Sequence, residues 1–283
     1  MKLPVFQQAM LKRHLGILRP DELERLSQAV IAGAGAGGIG GWTYIALARL
    51  GCRRFKIADP ESFDASNVNR QAGSGFETMG RNKAEVVAEE LLRINPGIEI
   101  DVWTDGVSSE SVEEFVRGAD IVYDGIDVFR MDLKRDLLSA AYEAGLPVLT
   151  APVLGFGTSL ALFDPKRSPT FEEYFGPVPD RDDREAYGRY IRLFGSGIFG
   201  IVPKLDWADY IQRVEQGDVP SVGTACMLSG AISATAIVAC LTDRPNFPAV
   251  PETIHIDLMQ RKIVHTRRWK RWVVKKYAQL FLK

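Results

Sequence analysis

The stretch "AVIAGAGAGGIGGW" (residues 29–42) decides the fold. Its apolar start, 29–34, reads as a buried strand. The glycines follow without a break, and "WTYIALARL" (42–50) then reads as a helix. Glycines between a strand and a helix let the backbone approach a phosphate, and the helix N-terminus favours an anion there. Gly35, Gly37, Gly38 and Gly40 are therefore candidates for nucleotide binding. A second strand, "RFKIA" (54–58), ends at Asp59, 24 residues after Gly35. An acid at that place can accept hydrogen bonds from ribose hydroxyls. Close packing of strand on helix would explain the glycines but not the acid. The loop spells G-x-G-G-x-G and no Lys-Ser/Thr pair follows, so it is not a Walker loop.

Working outward, the pattern alternates. Residues 20–26 read as a short helix opened by "PDEL", and 83–94 as a longer one stopped by "NPG". Strands are expected at 99–104, 121–124 and 147–150, with helices at 112–117 and 133–144 between them. Alternating strands and helices with short connections predict an α/β, Rossmann-like, doubly wound and mostly parallel sheet. After residue 163 the alternation stops. Residues 164–220, rich in Pro, Gly, aromatics and charge, read as an ordered insertion near one end of the sheet. Residues 253–258 and 262–266 read as C-terminal antiparallel strands around "MQR". The whole is expected to be one domain: an N-terminal segment (1–27), a nucleotide-binding core (28–163), the insertion, a core helix with strands (221–266) and a tail (267–283).

Composition limits the function. The 283 residues are 46% hydrophobic and 25% charged with a net charge of −1, ordinary for a soluble globular protein and no advertisement for nucleic acid. The three cysteines, Cys52, Cys226 and Cys240, form no CxxC pair and lie far in sequence from His14, His255 and His265, so no zinc site is expected. So sparse a cysteine count fits a reducing cytoplasm, and "MKLPVFQQAMLKRHLGIL" has no signal-peptide pattern. Residues 219–242 carry no charge and are long enough to span a bilayer, but Ala, Ser, Thr and Gly dominate them. We read a helix packed closely in the core.

The chemistry is signalled by "SFDASNVNRQ" (62–71). Asn67, Asn69 and Gln71 offer neutral donors, and Arg70 a fixed fork matched to phosphate oxygens. Lys83, in "GRNKAE", supplies a second cation near a helix start, and Asp127 follows the apolar fourth strand in "DGID". Ligands bind outside the carboxyl ends of such strands, so Asp127 can face the glycine loop. A carboxylate beside phosphates suggests Mg²⁺. Nicotinamide chemistry needs neither a metal nor a cationic clamp, whereas transfer at phosphorus needs charge neutralised and groups held in line. Taken singly, a turn-rich loop, a solvated lysine and a helix-capping aspartate would serve as well.

The sequence resembles the ThiF/MoeB/HesA family of ubiquitin-activating-enzyme-like adenylyltransferases. The matching stretches are "GAGGIG" (35–40), "DPESFDASNVNRQ" (59–71), "GRNKAE" (80–85), "INP" (94–96) and "DGID" (124–127), in order and spacing across 11–163. The resemblance implies that ATP binds at the glycine loop and that a substrate carboxylate attacks its α-phosphorus, giving an acyl-adenylate and pyrophosphate. By the same resemblance Asp59 holds the ribose, Asn67 and Gln71 organise the loop, Arg70 and Lys83 contact phosphates, and Asp127 serves Mg²⁺ and catalysis. "LKRHLGIL" resembles the family's N-terminal segment, which implies Arg13 as an arginine finger in trans and a homodimer. Many members carry two zinc-binding CxxC pairs, and many a cysteine that takes the acyl group as a thioester. This chain has neither pair. In the corresponding region, residues 216–222 hold no cysteine, and Cys226 falls inside the apolar helix that follows.

The substrate is expected to be a carboxylate on a peptide, a ubiquitin-like protein or a small molecule. Phe171, Tyr174 and Phe175 in the insertion can cover an extended peptide or form the insertion's own core. The last 17 residues, "RRWKRWVVKKYAQLFLK", carry seven Lys/Arg and no acid, with Trp269, Trp272, Tyr277 and Phe281 among the apolar residues of a helical stripe. Such a tail can lie on an anionic membrane, bind an acidic partner, or dock on its own domain or dimer mate. A cytoplasmic protein, held peripherally at the inner membrane surface if the tail binds lipid, is the expectation. The competing activities are a tRNA-modifying dehydratase of the same family, an NAD-binding oxidoreductase and a nucleotide-binding pseudoenzyme.

Overall fold

The structure is a computed structural model that describes residues 5–179, 206, 209, 210, 212, 213, 216–242, 244, 245 and 247–266. The basic tail and most of residues 180–215 of the insertion lie outside the described residues.

Strand β1 (Val30–Ala34) is the hub of the sheet. It pairs in parallel with β2 (Arg54–Ala58) on one side and β4 (Ile121–Asp124) on the other. Parallel pairing continues outward to β3 (Glu99–Trp103) beyond β2 and to β5 (Val148–Thr150) beyond β4. From β5 the sheet turns antiparallel through β7 (Gly157–Phe163), β8 (Thr253–Asp257) and β9 (Lys262–Thr266), with short β6 (Val153–Leu154) hairpinned onto β7. The order is β3-β2-β1-β4-β5-β7-β8-β9, a nine-stranded, Rossmann-like sheet with an antiparallel C-terminal part. The chain builds outward from β1 to β3, then returns to add β4 on β1's other side. The switch between β1 and β4 opens a crevice at their carboxyl ends.

Helices cover both faces. One face packs α2 (Pro20–Gln28), α3 (Gly40–Leu50), α4 (Lys83–Ile94) and α8 (Gly223–Leu241) through Leu26, Leu47, Leu91 and Ile237. The other packs α5 (Val112–Val116), α6 (Met131–Glu143) and α7 (Phe171–Phe175) through Phe115, Leu137 and Phe171. Burial on both faces is why the central strands read as unbroken apolar runs: Ile121 and Tyr123 enter the first core, and Val122 between them the second. The uncharged helix α8 is long and apolar enough to cross a membrane, yet it lies in the first core. A Cβ on its Gly230 would sit 2.5 Å from Trp42 Cβ, so only glycine permits so close an approach to α3.

Strands β6 and β7 have no counterpart in the sequence reading. "GTSLALF" mixes Thr, Ser and Ala into the run, which dilutes the apolar signal of a strand paired on both sides. The aromatics of α7 serve as core. Phe171 is buried, and Tyr174 and Phe175 pack on Phe163 with ring centroids 5.5 and 5.9 Å away.

The N-terminal segment begins with α1 (Val5–Met10) and the single turn Lys12–His14. Gln7 Nε2 donates to Gly51 O at 2.8 Å and Leu11 is buried, which ties the segment to the C-terminal end of α3. At the start of α2, Glu22 is fully buried. Its carboxylate accepts Arg19 N at 2.7 Å and Arg244 Nε and Nη2 at 2.7 and 2.8 Å. The Arg244 guanidinium, followed by the Arg19 amide, holds the Glu22 pKa near 2, well below its ordinary 4.5. A depressed carboxyl pKa adds stability above the unfolded value and loses it as pH falls through the folded one. Between about pH 4.5 and 2 the wild-type protein therefore loses a stabilisation that Glu22→Gln lacks. Urea titrations at intervals across that window should show a shallower pH slope for the variant, and parallel slopes would refute the assignment.

Candidate active site

The glycine loop is shaped by contacts that no side chain could share. Gly35 has φ +98°, and a Cβ there would lie 2.3 Å from Gly125 O, in the loop after β4. On Gly40 it would lie 1.9 Å from Gly35 O. Gly35 N donates to Ala58 O at 2.7 Å and its carbonyl accepts Tyr44 Oη at 2.8 Å, so the turn is pinned from β2 and from α3. Asp59, at the end of β2, reaches back to the loop: Oδ2 accepts Ala36 N at 2.7 Å and Oδ1 accepts Glu61 N at 2.9 Å. Burial pushes the Asp59 carboxyl above its ordinary pKa, opposed by those two amides and by the Lys83 ammonium. Asp59 is thus fixed in place before any ligand arrives.

The polar loop after β2 folds around Asn67. This buried side chain accepts Asp64 N at 3.2 Å through Oδ1, and its own carbonyl accepts the amides of Arg70 and Gln71 at 3.0 and 2.9 Å. Asn67 organises the loop, and Asn69 stands exposed. Arg70 Nη1 donates to Ser66 O at 2.8 Å and Asn69 Oδ1 at 3.0 Å, which parks the guanidinium on its own loop. Gln71 lies 3.6 Å from the position a Gly37 Cβ would take, and its buried Oε1 has no hydrogen-bond partner. The glycine turn opens an eleven-residue helix, a place that suits an anion, and the orphaned amide oxygen beside it can accept a hydrogen bond from a ligand's N–H or O–H.

Lys83 is 4% exposed rather than solvated. Its Nζ donates to Glu61 Oε2 at 2.6 Å, with Asp59 close enough to feel its charge. Asp127 is exposed beyond β4, and its Oδ1 accepts Phe129 N at 2.9 Å, a turn rather than a helix cap. Among the described residues no cluster of three His, Cys, Asp or Glu could hold a metal by itself. A Mg²⁺ carried on phosphate oxygens asks for only one or two carboxylates, which Asp127 suits. The glycine loop, Asp59, the 67–71 loop and Lys83 come together, with the Asp127 turn across the crevice. Arg13 does not join them. It stands exposed near Leu11, at the far end of α3, about 16 Å of helix from the glycine loop.

Asn82, Trp42, Gly223 and Lys134 support the site and escaped the sequence reading. Asn82 caps α4 by accepting Ala84 N at 2.9 Å, while its Nδ2 donates to Asp59 O at 2.9 Å and Thr104 O at 3.2 Å. Trp42 Nε1 donates to Arg70 O at 2.9 Å. The start of α8 abuts the same loop, since a Cβ on Gly223 would meet Asn69 O at 2.6 Å. Cys226 is buried one turn further on, its Sγ against Gly38, and burial raises its thiol to about 11 despite Arg70 nearby. Asp124 and Lys134 form a buried pair, Nζ to the two carboxylate oxygens at 2.9 and 2.8 Å, and Asp124 Oδ1 also accepts Ile126 N at 3.1 Å. The pair ties the loop that carries Asp127 to α6. An acid at a strand end was in view, but its lysine partner ten residues on gives no local signal.

A switch-point glycine loop with an acid at the next strand end makes this a Rossmann-like α/β protein. The chain belongs to the ThiF family, whose sequence model matches residues 11–272. It is 38% identical over 132 residues to a tRNA threonylcarbamoyladenosine dehydratase of Haemophilus influenzae, covering 46% of this chain and 50% of that one. It is 26% identical over 199 residues to the sulfur carrier protein ThiS adenylyltransferase of Escherichia coli, covering 69% and 77%. The first of these matches spans about half the relative's length. Among solved structures, PaaA aligns with a TM-score of 0.69 at 16% identity over 94% of this chain and 74% of its own. Escherichia coli MccB with ATP aligns with a TM-score of 0.65 at 19% identity over 87% and 66%. These likenesses agree with the fold.

Removing one partner of the Asp124–Lys134 pair leaves a buried charge uncompensated. Lys134→Met should cost about 3–5 kcal/mol in urea denaturation, and the double variant Asp124→Leu/Lys134→Met should recover most of it. Equal losses in the single and double variants would show that the pair is not coupled.

Proposed function

We propose that this protein is an ATP-dependent adenylyltransferase that activates a carboxylate as an acyl-adenylate. One observation carries the reading: Arg70 and the buried Lys83 flank a glycine loop already furnished with a ribose-type acid. Membership of the family and the adenylyltransferase among the relatives support it.

In this reading Asp59 receives the ribose and the Gly35–Gly40 turn takes the phosphates. An incoming triphosphate competes for the two cations. Arg70 leaves Ser66 O and Asn69, and Lys83 leaves Glu61, an exposed carboxylate that water readily solvates. A deprotonated substrate carboxylate attacks the α-phosphorus. The bond from the α-phosphorus to the bridging oxygen breaks, and pyrophosphate departs with that oxygen and both electrons. No proton need move. Arg70 and Lys83 offset the charge that builds on the leaving oxygens. Mg²⁺, when bound, supplies further neutralisation, and Asp127 would hold it.

Arg13 fits a role in a second copy's site. It is exposed, and so are the apolar side chains of Val5, Phe6, Leu15 and Ile17 in the same segment, which a homodimer contact would cover. The identity to tRNA threonylcarbamoyladenosine dehydratases favours a second reading, in which the activated carboxylate is carried on tRNA.

ATP–pyrophosphate exchange tests the proposal, with carboxylate peptides in one arm and tRNA in the other. Arg70→Ala and Asp127→Ala should each lower exchange by ~10²-fold or more. Cys226→Ala should exchange like the wild type. Undiminished exchange in Arg70→Ala or Asp127→Ala would overturn that residue's role, and exchange that needs tRNA would favour the second reading.

A further inference from the structure

A cleft of about 70 Å³ opens beside the crevice, on the β4–β5 side of the glycine loop and away from Asp59. Its near wall is Ile39 of the glycine loop with Ile126 and Val128, the two neighbours of Asp127. Its far wall is aromatic: Phe163, Phe171 and Phe175. The lining is mostly apolar, and the Asp124–Lys134 pair within it is internally neutralised at 2.8 Å. From these features we infer that the cleft receives the side chain next to the reacting carboxylate, and that the preferred substrate carries a short branched aliphatic group there, as a peptide ending in Val or Ile does.

The inference rests on the adenylation reading. Asp59 takes the ribose at the end of β2, the glycine loop takes the α-phosphate, and Arg70 and Lys83 draw the departing pyrophosphate to the 67–71 side of the crevice, in line with and opposite the attacking group. The attacking carboxylate then approaches from the remaining side, where Ile126 and Val128 flank Asp127 at the cleft's mouth. A carboxylate held near Asp127 therefore places its substituent in the cleft. Size sets the substituent: a cavity of ~150 Å³ accommodates benzene, so half that volume suits a group of roughly three or four carbons. Charge sets its polarity. Asp124 and Lys134 satisfy one another, so a charged side chain would enter without a counter-ion and be penalised by desolvation. Glycine would leave the cleft unfilled, and phenylalanine would exceed it.

Two measurements on the full-length protein separate the inference from the reading beneath it. The first is calorimetric binding of tripeptides that differ only in a terminal Gly, Val or Phe. The second is ATP–pyrophosphate exchange with the same peptides. The Val peptide should bind and exchange at least about tenfold better than the Gly peptide, the scale of a filled apolar pocket. Val128→Phe, which fills the cleft, should erase that preference, and Val128→Ala, which widens it, should shift preference toward the Phe peptide. Equal affinity for the Gly and Val peptides, no binding of any of them at millimolar concentration, or a preference unmoved in both variants would overturn the inference. Exchange without side-chain selectivity would leave adenylation standing and sink the cleft. Selective binding without exchange would do the reverse.

Discussion

Gly35 is the point on which the site depends. Three backbone segments meet there: the end of β1, the loop after β4 represented by Gly125, and the first residue of α3, Gly40. Their separations leave no room for a Cβ on Gly35 or Gly40. This contact lets α3 start directly at the end of β1, beside the crevice. It also brings the loop that carries Asp127 against the glycine loop. Any side chain at Gly35 would have to adopt a left-handed conformation and displace the β4 loop at once. The small residues around it follow from the same demand. Gly223 and Gly230 let α8 lie against the polar loop and against Trp42, so the floor of the site is backbone packed on backbone.

Around that floor the charges are placed before a ligand arrives, each with a partner that keeps it from being stranded. Asp59 is held by two amides, and Lys83 by Glu61. Asp124 is held by Lys134 and the Ile126 amide. Unpaired, each would be costly to bury. The partners differ in a way that bears on function. Asp124 and Lys134 are both buried and bond only within the protein, which suits a structural tie. Glu61 is 69% exposed, so Lys83 can exchange it for another anion while water takes back the glutamate. Arg70 rests on a backbone carbonyl and a neighbouring amide, neutral acceptors that a phosphate outcompetes.

Much of this was legible in sequence. The central strands are buried on both faces and so appear as apolar runs, and the glycine loop sits where a strand pattern gives way to a helical one. The run "RFKIA" located β2, with Asp59 at its end. Tertiary pairings left weaker traces. Lys83 looked like a cation at a helix start, and nothing local marks it as buried against Glu61. Asn82 has the look of an N-cap, but its bond to the Asp59 carbonyl depends on where β2 ends in space. The Asp124–Lys134 pair needs the helical phase of α6 relative to β4, which no period in the sequence reports. Strand β7 was hidden because its Thr, Ser and Ala satisfy a strand with partners on both sides without making an apolar run.

The helix that supports the site also limits its chemistry. Cys226 sits against Gly38, near enough to the loop to invite a role as nucleophile. The same packing that places it there buries it and raises its thiol to about 11. At neutral pH that leaves roughly one thiol in ten thousand ionised, and the thiolate is the reactive form. A catalytic cysteine needs exposure and a lowered pKa, and α8 can provide neither without withdrawing from the Asn69 loop it buttresses. On the proposed chemistry, then, an adenylate formed here passes its acyl group to an acceptor outside this helix. On the same proposal, selection among carboxylates falls before that transfer, in the cleft beside the glycine loop and the turn of Asp127.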